Sequence, residues 1–186
     1  MPLDEVAFQA EEKMEKAVAF LAAEFRSLRT GRATTGLVEH IKVEYYGSGT
    51  PLQQLAALSA PDANLIVIKP FDPSSIKDIE RALSASELGI TPQSDNRVIR
   101  LVVPPLSGER RKQLANQVKQ MSEEARISIR NVRRDANKHI EQEQKNKTAT
   151  EDEAQKAKDE IQDLTKKYEE KVGELLKAKL TEIEAT

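Results

Sequence analysis

Residues 126–140, RISIRNVRRDANKHI, carry five basic side chains and no aromatic one. Upstream, Lys112, Lys119, Arg126 and Arg133 fall seven apart, and Arg130 and Asn137 lie beside them on a helical wheel of about 100° per residue. The apolar positions of the same stretch centre about 110° away on that wheel, so the basic line is expected to face solvent. Between Arg110 and Lys138 nine Lys and Arg meet three Asp and Glu, a local net of +6, which leaves −8 for the rest of a chain whose total is −2. A helix that needed only solubility would place Glu four residues from each cation. Here Glu123 alone lies near the line. Arginine dominates the patch, and its planar fork of donors suits phosphate. Nucleic acid or phosphate binding is therefore expected, ahead of an acidic protein surface or an anionic membrane. With no aromatic stacking set, recognition-helix pattern or zinc spacing, any contact is expected to read phosphate spacing and to weaken steeply with salt.

Other residues offer little catalytic chemistry. There is no Cys, hence no thiolate nucleophile, disulfide or Cys-based metal site, as suits a reducing compartment. Of the two histidines, neither His40 nor His139 sits in a metal or triad pattern, and His40 in VEHIKV reads as structural. GSG at 47–49 lacks the rest of a phosphate-cradling loop and reads as a turn. The acidic run Glu151, Asp152, Glu153 suits the start of a helix, where the helix dipole favours negative charge. No enzyme, cofactor or metal is expected.

Three amphipathic helices must position the basic line. Val6, Ala10, Met14, Ala17, Leu21, Phe25 and Leu28 recur at steps of three and four, and so do Leu114, Val118, Met121, Ala125, Ile129, Val132 and Ala136. A third set is Ala154, Ala157, Ile161, Leu164, Tyr168, Val172, Leu175 and Ile183. The second helix is predicted over 108 to about 144, and Thr150 with Glu153 forms a capping box that opens the third. With 32% charged and 4% aromatic residues, the core of such a bundle must be thin and aliphatic.

Between the first two helices, residues 30–105 change character. Ile41, Val43 and Tyr45 alternate with polar residues, NLIVIKP and RVIRLVVPP read as strands, and DPSSIKDIERAL reads as a helix with Asp72 as N-cap. The expected fold is thus α+β: an elongated three-helix bundle, 1–29 and 106–186, with a small β/α/β domain, 30–105, inserted into it. Two connections join them, Thr30, Gly31 and Arg32 on one side and residues 103–106 with Pro104 and Pro105 on the other, and a limited hinge is expected there. The longest apolar run, 17–23, is far short of the ~20 residues that span a bilayer, and the start MPLDEV is acidic where a secretory signal is basic. No membrane partner is expected.

LRTGRA, VEYYGSGTPL, PPLSGERRK and RNVRRDAN, in that order along the whole chain, resemble the bacterial ribosome recycling factor family. The resemblance implies an L-shaped monomer that binds the post-termination ribosome through large-subunit rRNA. With elongation factor G, which hydrolyses the GTP, such a factor parts the subunits. It implies that Arg130, Arg133 and Arg134 face ribosomal RNA, Arg133 foremost; Lys112, Lys119 and Arg126 extend that set from the wheel. It also implies a bacterial cytoplasmic protein, because no long N-terminal extension precedes the first helix. The alternatives are a general RNA-binding module and a coiled-coil adaptor or chaperone. Gly108 departs from the family pattern, where a non-Gly residue is common.

Overall fold

A computed structural model describes residues 1–185. The helices are α1 (Leu3–Ser27), α2 (Ile76–Ala85), α3 (Gly108–Lys145) and α4 (Glu151–Glu184). The strands are β1 (Lys42–Tyr45), β2 (Ser48–Pro51), β3 (Ala56–Asp62), β4 (Leu65–Pro70), β5 (Gln93–Ser94) and β6 (Ile99–Val102). The chain falls into two compact units. One is Met1–Phe25 with Ala115–Thr181; the other is Arg26–Leu114 with the end of α4 from Glu182.

The first unit is a bundle of α1, α3 and α4. No helix with one apolar stripe is stable alone, so the stripes bury one another. Val6, Ala7 and Ala10 of α1 pack with Ala136 and Ile140 of α3 and with Ala154, Ala157 and Ile161 of α4. Small alanines let the helices approach closely. The interior is mainly aliphatic, with Phe25, Ser122, Thr165 and Tyr168 also buried, and the Tyr168 hydroxyl donates to Glu11 Oε1 at 3.0 Å and ties α4 to α1. Burial, then the Glu11 carboxylate, pushes that phenol up to about 12. The turn into α4 closes as the capping box predicts: the Thr150 amide donates to Glu153 Oε2 at 2.8 Å, and the Glu153 amide donates to Thr150 Oγ1 at 3.3 Å. At 38 residues, α3 is a rod of about 57 Å at ~1.5 Å per residue.

The second unit holds a two-stranded ribbon, β1 and β2, and an antiparallel four-stranded sheet in the order β3-β4-β6-β5. Alternation along β4 and β6 sends Ile66, Ile68, Ile99 and Leu101 into a core shared with Ile79 and Leu83 of α2. Asp72 caps the short 3₁₀ turn Pro73–Ser75 that opens into α2, accepting from the Ser74 hydroxyl at 2.7 Å and the Ser74 amide at 3.0 Å. These two bonds, the hydroxyl first, hold its carboxyl below the usual carboxylate range.

Two expectations change. GSG is not a turn throughout: Tyr46 (φ 50°) and Gly47 (φ 76°) make the tight hairpin, and Ser48–Pro51 pairs with β1 as β2. β3, AALSAPD, is a strand that its own composition does not announce; pairing with β4 imposes it. His40, which reads as structural in the sequence, is exposed in the turn before β1.

Near the end of α1, Gly36 meets a close approach. A Cβ there would lie 2.8 Å from the Arg26 carbonyl oxygen and 3.2 Å from Arg26 Cβ. The same residue is clamped by Glu39, whose two carboxylate oxygens each accept from Arg26 Nη2 at 2.9 Å. Gly36→Ala is expected to cost about 1–3 kcal/mol by overpacking, read as a lower urea midpoint of the sheet unit. An unchanged midpoint would show that this backbone contact yields freely.

Candidate nucleic-acid interface

Helix α3 buries Leu114, Val118, Ala125, Ile129, Ala136 and Ile140, which orients the rest of its surface. Lys112, Lys119, Arg130 and Arg134 are exposed, whereas Arg126 and Arg133 are half-buried. The difference follows from the wheel, because Arg126 and Arg133 are the arginines of the line nearest the apolar sector. The line thus runs along the border of the bundle's core instead of wholly outside it. Half-burial holds the aliphatic stem while leaving the guanidinium at the surface.

The arginines differ in their partners. Arg130 Nε donates to Glu169 Oε1 of α4 at 2.8 Å, and its Nη1 donates to Glu123 Oε1 at 3.3 Å. Arg126 Nη1 lies 3.7 Å from Glu123 Oε2. Among the described residues, Arg133 and Arg134 have no ion pair and no side-chain hydrogen bond, and neither do Lys112 and Lys119. The unshared charge therefore lies in the RNVRRDAN segment and in the two lysines upstream.

Two residues of the site escape a reading of α3 alone. Glu169 sits 39 residues from Arg130 in sequence, and only the packing of α4 beside α3 brings them together. Gly173, in the interior of α4, faces the Arg126 guanidinium, whose Nη2 would be 3.8 Å from a Cβ at that position. A glycine within a long helix is itself the signal, since it gives up about 1 kcal/mol of helix propensity. Among the described residues no group of three or more His, Asp or Glu could hold a metal ion, and no helix is long and apolar enough to cross a membrane.

The two connections between helices and sheet are also placed. Residues 28–34 and 103–107 lie outside the α-helices and strands. Gly31 takes φ 79°, and Pro104 and Pro105 are exposed. Thr30 is buried and donates from its hydroxyl to Glu182 Oε1 at 2.8 Å, while Arg32 is exposed. Ala33 and Val103 then donate backbone bonds to the carbonyls of Ala63 and Asn64, at 2.7 and 2.8 Å. Both connections are thus tied to one turn, that between β3 and β4.

Solved structures put this architecture among the translation factors of the ribosome. A solution structure of a ribosome recycling factor matches 100% of this chain and 99% of its own, with a TM-score of 0.82 and 41% identity. A structure describing the T. thermophilus ribosome recycling factor and the E. coli elongation factor G bound to the E. coli post-termination complex matches 98% of this chain and 99% of that one, with a TM-score of 0.72 and 38% identity. The family described as ribosome recycling factor matches residues 21–183. Ribosome-recycling factor of Rhodopirellula baltica is 56% identical over 138 residues, 74% of each chain, and that of Geobacillus kaustophilus is 52% identical over 148 residues, 80% of each. The chain belongs to the ribosome recycling factor family.

Proposed function

We propose that this chain binds the post-termination ribosome through large-subunit rRNA and, with elongation factor G and GTP, parts the subunits. The observation that carries the reading is the end-to-end match, through helices and sheet unit alike, to a recycling factor described with elongation factor G on the post-termination complex. The grip is assigned to Arg133 first, then Arg130, Arg134 and Arg126, with Lys119 and Lys112 extending the line. Phosphate contacts of this kind position a protein without reading bases.

The chain acts without chemistry of its own. Its part is mechanical: a stiff helical rod anchored on phosphates, with hydrolysis left to the partner GTPase. It works as a monomer in the bacterial cytoplasm. Thr30, Gly31 and Arg32, with Pro104 and Pro105, form the elbow, a reading supported by the irregular backbone on both connections and by the shared anchor at Ala63 and Asn64.

The test is subunit dissociation. Post-termination complexes mixed with the protein, elongation factor G and GTP are expected to lose light scattering, and to keep it when any of the three is omitted. Scattering that stays constant with all three present would refute the function. A general RNA-binding module would instead be displaced from ribosomes by equal concentrations of naked RNA, and a protein-binding adaptor would show little dependence on salt.

A further inference from the structure

Counter-charge is distributed unevenly along the basic face. Arg130 is held by Glu169 at 2.8 Å and Glu123 at 3.3 Å, whereas Arg133 and Arg134, one turn further along α3, have no carboxylate partner among the described residues. Glu123 was placed by its own helix, but Glu169 reaches across from α4. Its side chain is 29% exposed against 45% for Arg130, so the carboxylate is the better anchored of the two.

A carboxylate in this position has two effects on an approaching polyanion. It occupies the Nε edge of the guanidinium, the geometry a phosphate oxygen would take. It also adds a negative charge within a Debye length, ~10 Å at 0.1 M salt, of any phosphate that reaches Arg130. The pair is exposed and hence weak, so it can exchange partners. The Nη2 amino group of Arg130 has no partner among the described residues and remains open to an incoming oxygen.

We propose that Glu169 is a specificity-determining residue: its carboxylate stands where phosphate would bind Arg130, withholding that guanidinium from generic polyanions and yielding it to phosphates held in place by ribosomal RNA. The inference rests on α3 being the phosphate-binding face. A flexible RNA can reach Arg133 and Arg134 without ordering a phosphate against Glu169, and so gains nothing from Arg130. A folded RNA whose phosphates are fixed by its own structure meets all three arginines together and displaces the carboxylate. Charge alone would attract both; the internal carboxylate separates them.

Glu169→Gln tests this in the full chain. The amide keeps an acceptor oxygen for Arg130 and removes only the charge. Poly(U) and purified large ribosomal subunits are the probes, each titrated across salt. Poly(U) affinity is expected to rise roughly three- to tenfold near 0.1 M salt, and its log–log salt slope to steepen by roughly 0.7, the release expected for one further phosphate contact on a single strand. The slope for large subunits is expected to stay as it is, because Arg130 is already engaged there. Adding Arg130→Ala to Glu169→Gln should cancel the gain on poly(U). Unchanged or weaker poly(U) binding by Glu169→Gln would overturn the inference. Failure of the underlying reading shows separately, as large-subunit binding that Arg133→Ala leaves untouched.

Discussion

Arg133→Ala is expected to weaken binding to large ribosomal subunits roughly ten- to a hundredfold, about 1.5–3 kcal/mol, the value of a hydrogen bond to a charged group. Arg133 alone among the arginines of the line combines two properties. It is half-buried, so its stem is already ordered and less side-chain entropy is lost on binding. Among the described residues it also has no carboxylate to give up before it can hold a phosphate, unlike Arg126 and Arg130. The salt slope should flatten by roughly 0.7–0.9 for the one phosphate contact removed. The fold should be unaffected, since Arg133 makes no ion pair or side-chain hydrogen bond among the described residues. Pelleting with large subunits at rising salt measures both quantities, and an unchanged thermal midpoint isolates them from folding. Arg133→Lys should fall between the two, because it keeps the charge and loses the fork. Equal pelleting of all three proteins would remove Arg133 from the interface.

Ile140→Ala is expected to destabilise the bundle by about 3–5 kcal/mol, the upper part of the range for such truncations. Ile140 is fully buried, and Ala7, Ala10, Ala136, Ala154 and Ala157 belong to the same cluster. Alanine side chains cannot swing into the space vacated, so the cavity stays open and its lining loses contacts outright. Against a typical total of ~5–15 kcal/mol, that loss removes a large share of the stability on which a load-transmitting rod depends. Denaturant unfolding followed by helical circular dichroism measures it. Phe20→Ala is the control: Phe20 is 65% exposed, and its loss should cost within ~0.5 kcal/mol. If the two variants unfolded at the same midpoint, the alanine-rich cluster would not be what closes the bundle.

Helices were the legible part of this chain. α1, α3 and α4 stand where the three-and-four spacing puts them, because each helix carries its apolar stripe in its own sequence. Local chemistry was equally readable: the Thr150–Glu153 box and the Asp72 cap form between residues two or three apart. Strands β2 and β3 were not. SGTP and AALSAPD have poor strand composition, and each becomes a strand through a neighbour that supplies its hydrogen bonds.

The basic face divides along the same line. By itself the sequence determined which helix carries the guanidinium groups, their seven-residue spacing and their separation from the apolar stripe, since all three are properties of one helix's periodicity. Tertiary structure alone decided that Gly173 faces Arg126 and that Glu169 holds Arg130. A helical period tells each side chain which way to point. What it meets there depends on residues far away in the chain, brought alongside only when the bundle packs.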